Sequence, residues 1–61
     1  MNEKESVVLR EGQAAAHIDV AQQTLTNWRY LGKGPAYVLV GRAVRYRVED
    51  LDDWLNKHRV D

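Results

Sequence analysis

The run Gly32-Lys33-Gly34-Pro35 constrains this chain more than any other feature. Glycine accepts the left-handed conformation that closes a helix, and proline has no N–H with which to continue the hydrogen-bond ladder, so a helix arriving from the N-terminal side must stop there. Upstream of the run the apolar residues recur at helical spacing; downstream they first alternate as in a strand. With 61 residues both halves have to share one core, because a domain of this size buries only about 60% of the surface its unfolded chain exposes. The chain contains no cysteine, so neither a disulfide nor a cysteine-based zinc site can reinforce that core, and the usage fits a reducing intracellular setting.

Leu9 to Ile18 carries Ala14, Ala15 and Ile18 at helical spacing and predicts a short first helix, weakened somewhat by Gly12. Asp19 is expected to cap a second helix covering about Ala21 to Leu31. On that helix Ala21, Thr24, Leu25, Trp28 and Leu31 share an arc suited to a core. Gln22, Gln23, Thr26, Asn27 and Tyr30 share the other arc, with Arg29 at the border. After the stop, Tyr37 to Val40 and Val44 to Val48 are rich in β-branched and aromatic residues and flank Gly41-Arg42-Ala43, which predicts a β-hairpin with Arg42 at its tip. In its second strand Val44, Tyr46 and Val48 alternate with Arg45 and Arg47, so the guanidinium groups are expected to face outward. Glu49 to His58 predicts a last helix with carboxylates near its start and cations near its end, and Leu51, Trp54 and Leu55 as its buried stripe. The expected fold class is α+β: a small winged helix-turn-helix of three helices and a two-stranded hairpin wing, one domain over 1–61 with an ordered core of about 8–58.

The formal net charge is zero, yet the charges are unevenly placed. From Val20 to Val48 the only ionised residues are Arg29, Lys33, Arg42, Arg45 and Arg47, a total of +5, whereas the flanks carry −2 and −3. A stretch of cations without acids is suited to a polyanion. A helix about three turns long fits the major groove of B-DNA, and Gln22, Gln23, Thr26 and Asn27 are residue types that read base edges there: an amide can bond two adenine atoms at once, and threonine can offer a hydroxyl or touch a thymine methyl. Arg29 is expected to reach guanine or phosphate, and Tyr30 either to touch a phosphate or to cover the core edge. Lys33, Arg42, Arg45 and Arg47 supply the backbone and minor-groove contacts of the wing. An ordinary solvated helix face and a charge-protected edge hairpin are the plainer explanations of the same residues, and Arg42 is the one least easily assigned to edge protection.

The chain resembles the small MerR-like winged-helix proteins that include phage excisionases and related phage and plasmid regulators. The resemblance spans about Val8 to Leu55. It is carried by Glu11-x-x-Ala14-Ala15, Thr24-Leu25-x-x-Trp28, Gly32 and Pro35, Val40-Gly41-Arg42, and Asp50-Leu51-x-x-Trp54-Leu55. It implies a second helix in the major groove and a wing at the neighbouring minor groove, and so points to Gln22, Gln23, Thr26, Asn27, Arg29 and Arg42. By the same resemblance the expected role is that of an excisionase, a recombination directionality factor. Such a protein binds an attachment-site arm cooperatively with further copies of itself, bends the DNA and helps a tyrosine-recombinase integrase towards prophage excision. Where the family has serine or threonine at the cap of the second helix this chain has Ala21, so the capping passes to Asp19 or to the backbone.

A small phage or plasmid transcriptional regulator of the same fold is the alternative, and a protein-interaction adaptor using the same helix and wing is a second one. With six residues, Asn56 to Asp61, after the last stripe residue, the chain reads as complete and without a sensor domain, which favours the excisionase. No apolar run approaches the roughly 20 residues of a membrane span, and Met1 to Ser6 are charged rather than signal-like, so a cytoplasmic location is expected. His17 and His58 lack metal-ligand spacing, Asp50, Asp52 and Asp53 read as dipole partners, and no serine, histidine and carboxylate set is present. Neither catalysis nor a metal or other cofactor is therefore expected. His17 reads as a turn residue, and Trp28 and Trp54 as core.

Overall fold

A computed structural model of the protein describes residues 7–60. In chain order the elements are strand β1 (Val8–Leu9), helix α1 (Glu11–His17), helix α2 (Gln22–Tyr30), strands β2 (Val38–Val40) and β3 (Ala43–Arg47), and helix α3 (Val48–Lys57). The three strands form one antiparallel sheet in the order β1-β3-β2. Its register pairs Val8 with Arg47 and Leu9 with Tyr46 on one side of β3, and Val38 with Arg45, Leu39 with Val44 and Val40 with Ala43 on the other.

The third strand is a departure from the expected two-stranded hairpin. Leu9 belongs to β1 rather than to the first helix, which begins two residues later at Glu11. Alternation cannot be recognised in a strand of two residues, so this one exists only because β3 offers it a partner edge. The pairing extends into the next element, where the Val48 N–H donates to the Val7 carbonyl at 3.0 Å. Val48 accordingly opens α3 instead of closing β3.

Both helices of the tight turn end in the same way. Asp19 has φ 61°, its N–H donates to the Ala16 carbonyl at 3.1 Å, and the Val20 N–H reaches the Ala15 carbonyl at 2.9 Å. Gly32, at φ 73°, repeats the pattern with Arg29, while Lys33 bonds back to Trp28 at 2.8 Å. These are Schellman closures, in which a left-handed residue turns the chain and satisfies the last carbonyls. Asp19 therefore closes α1 and does not cap α2. The cap residue of α2 is Ala21, which has no side-chain hydrogen bond to give, so the first N–H groups of α2 lack the partner that serine or threonine supplies.

The core is small: Ala14, Ala15, Ile18, Leu25, Tyr46 and Leu51 are buried, with Leu9, Val20, Trp28, Val44 and Trp54 packed around them. Three expected core residues are not part of it. Leu31 is 69% exposed although its backbone is still helical (φ −86°, ψ −1°) and its N–H still bonds the Asn27 carbonyl at 3.0 Å, because the small core does not extend to the end of α2. Leu55 is 41% exposed; on α3 it is Trp54 that meets the second helix, its ring centroid 5.3 Å from that of Trp28. Ala21, as the cap, is exposed as well. His17 is the last residue of α1 rather than a turn residue, and its Nε2 lies 2.8 Å from Asp52 Oδ1, joining α1 to α3.

Candidate nucleic-acid interface

α2 turns its polar arc outward. Gln22, Gln23, Asn27 and Tyr30 are exposed, whereas Thr26 and Arg29 are half-buried. The Gln23 amide donates from Nε2 to Asn27 Oδ1 at 3.0 Å, one helical turn on. That bond leaves the Gln23 carbonyl oxygen and the Asn27 amino group free, an acceptor and a donor side by side, which is the pair of functions that the N6 and N7 atoms of adenine require. Gln22 leans back over α1: a Cβ built on Gly12 would lie 3.0 Å from Gln22 Oε1, so the missing side chain at Gly12 makes room for it.

The wing is β2, β3 and a two-residue turn, Gly41-Arg42. Only the first of these residues has positive φ (Gly41, 63°), the pattern of a type II′ turn, whose twist matches that of the flanking strands. Arg42 is exposed at the tip. Arg45 and Arg47 alternate with the buried Tyr46, so they occupy the sheet face turned away from the helices. Arg45 is half-buried, with Nη1 donating to the carbonyl of Val44 at 2.8 Å, and Arg47 is exposed and doubles as the cap residue of α3. Lys33 is exposed beyond the end of α2, at the rim of a shallow groove lined by Arg29, Pro35 and Tyr37.

Arg29 stands apart from the other candidate contacts. Its Nε donates to Glu11 Oε2 at 2.9 Å and its Nη2 to Glu11 Oε1 at 3.4 Å, and the two side chains are only 17% and 16% exposed. The fork expected to reach guanine or phosphate is thus occupied by a carboxylate of the same chain. The Arg29 guanidinium also lies 4.9 Å from the ring centre of Tyr30 and 5.9 Å from that of Tyr37. Tyr46 donates its hydroxyl to Glu11 Oε2 at 3.4 Å. The Arg29 hydrogen bonds hold the Glu11 carboxyl below its ordinary 4.5, against the opposing effect of burial and with help from the Thr26 and Tyr46 hydroxyls. Arg29 is shifted upward for the matching reason, while burial first and the Glu11 charge second push Tyr46 up to about 12. Glu11 entered the sequence reading only as part of a motif; nothing in its position on α1 reveals that a residue 18 positions on will meet it.

Three helices on a small antiparallel sheet, with the second helix exposed along its polar side and a hairpin beside it, make a small winged helix-turn-helix. The chain belongs to the helix-turn-helix domain family, whose match runs over residues 8–59, and this supports a small DNA-binding protein. No curated protein matches the chain. Among the described residues no helix is long and apolar enough to cross a membrane.

Proposed function

We propose that this chain is a sequence-specific DNA-binding and DNA-bending protein of the MerR-like winged-helix type, and that it serves as an excisionase. The observation that carries the DNA reading is the exposed amide face of α2 together with the exposed Arg42 at the wing tip, in a stretch of chain without an acidic residue. α2 enters the major groove, where Gln22, Gln23 and Asn27 meet base edges and each well-formed bidentate pair discriminates by roughly 1–3 kcal/mol. The wing lies at the neighbouring minor groove, with Arg42 in it and Lys33, Arg45 and Arg47 towards phosphates.

The excisionase role rests on the resemblance described above. In that role several copies bind neighbouring sites on an attachment-site arm and bend it, and a tyrosine-recombinase integrase assembles on the bent DNA. A bend of 40–90° costs on the order of 1–6 kcal/mol, which contacts from several protomers can offset. The action is architectural and draws on no catalytic group or cofactor. A transcriptional regulator would use the same interface at a promoter.

The test is a band-shift measurement on circularly permuted fragments carrying either an attachment-site arm or the neighbouring promoter, at two salt concentrations. Cooperative, bent complexes on the arm that recruit integrase support the excisionase. Binding confined to the promoter selects the regulator, and no binding even at low salt refutes the DNA reading in favour of a protein partner. Arg42→Ala should make the log–log salt dependence shallower by up to about 0.9, because one cation fewer displaces counterions from the DNA.

A further inference from the structure

We propose that Glu11 and Arg29 form a positioning pair that sets the orientation of the wing relative to α2, so that Arg29 governs DNA affinity without touching DNA. The proposal rests on the DNA-binding reading above and removes one of its candidate contacts.

The geometry forms a closed circuit. Glu11, the first residue of α1, takes the fork of Arg29 from the last turn of α2. The same guanidinium lies against Tyr37, which leads into β2. The ring of Tyr37 is 5.9 Å from that of Tyr46 in β3, and the Tyr46 hydroxyl returns to Glu11. Turning the wing relative to the recognition helix therefore has to break a contact in this circuit. With only 17% of its side chain exposed, Arg29 commits two of its five N–H donors to Glu11, and turning that fork to a phosphate would give both up and leave a carboxylate, 16% exposed, beside a polyanion. A guanidinium so committed acts as a brace.

The two possible roles of Arg29 predict opposite signs for Glu11→Gln. If Arg29 were a DNA contact, removing the carboxylate would free it and remove a repulsive charge, and binding would tighten. As a brace, Arg29 loses its anchor and binding weakens even though the repulsive charge is gone, by roughly five- to thirty-fold for a loss of about 1–2 kcal/mol. The second measurement is the salt slope of the charge-neutral pair Glu11→Gln with Arg29→Gln. A brace leaves the slope at the wild-type value, because no phosphate contact is lost, whereas a contact makes it shallower by about 0.9.

Both measurements are made by fluorescence anisotropy on one DNA fragment, at a temperature where circular dichroism shows each variant folded. If Glu11→Gln does not fold there, the slope of the double variant decides. Weaker binding by Glu11→Gln with an unchanged slope in the double variant supports the brace. Tighter binding by the single variant, or a shallower slope in the double, overturns it. Failure of the wild-type chain to bind any DNA overturns the DNA-binding reading itself, and is thereby distinguished from failure of the brace.

Discussion

At Asp19 an ordinary residue does work usually given to glycine. Its φ of 61° places it in the left-handed region, where a Cβ costs roughly 1–2 kcal/mol, somewhat less for Asp because its short polar side chain can bond locally. The corresponding position after α2 is Gly32, at φ 73°. Asp19→Gly should therefore raise the unfolding free energy by about 0.5–1 kcal/mol, part of the relieved strain being cancelled by the greater freedom of glycine in the unfolded chain. Asp19→Val should lower it by more than 1 kcal/mol, since a β-branched side chain is least tolerant of this conformation. Urea melts of the two variants check both signs. An aspartate before a new helix is read from sequence as a cap, and here it ends the preceding helix. The two assignments share the same residue type and differ only in φ, which sequence does not report.

At the scale of the elements, the helices were more legible than the sheet. α2 and α3 lie within a residue or two of the expected spans, because their apolar periodicity and their stop signals are local. The wing was legible through Gly41, whose positive φ lets a two-residue turn keep Val40 opposite Ala43. Gly41→Val should cost about 1–2 kcal/mol and act mainly on β2, because β3 keeps its second partner in β1. Amide hydrogen exchange would then show protection lost at Val38 and Val40, whose N–H groups face β3, while Leu9 retains it; equal loss in both places would contradict this division. β1 is not legible in the sequence because its two residues have no pattern of their own.

Across the whole molecule, stability depends on a few shared groups. A chain of this size has about 3–9 kcal/mol in total, so one Leu25→Ala or Leu51→Ala truncation, at roughly 2–5 kcal/mol, can consume most of it. Glu11 joins three elements, and its carboxyl is held below 4.5 in the fold. A folded-state value below the unfolded one means that this contribution is complete above about pH 5 and is lost as pH falls through 4.5 and then through the lower folded value. Thermal melts of wild type and Glu11→Gln should differ most at neutral pH, by roughly 1–3 kcal/mol, and converge towards pH 3. Curves that stay parallel down to pH 3 would show that Glu11 carries no such linkage.

The separation between what is local and what is not explains the outcome at every scale. The sequence by itself determined the order of helix, turn, helix, hairpin and helix, the polar face of the second helix and the cation at the wing tip. Each of these follows from spacing and turn chemistry within a few neighbouring residues. Only the tertiary structure decided that a third strand joins the sheet, that Leu31 and Leu55 lie outside a core too narrow to reach them, and that Arg29 turns inward to Glu11. Those depend on which distant groups meet when the core closes, and a guanidinium on a helix border goes to a nearby half-buried carboxylate because leaving either charge unpaired there is the costlier arrangement.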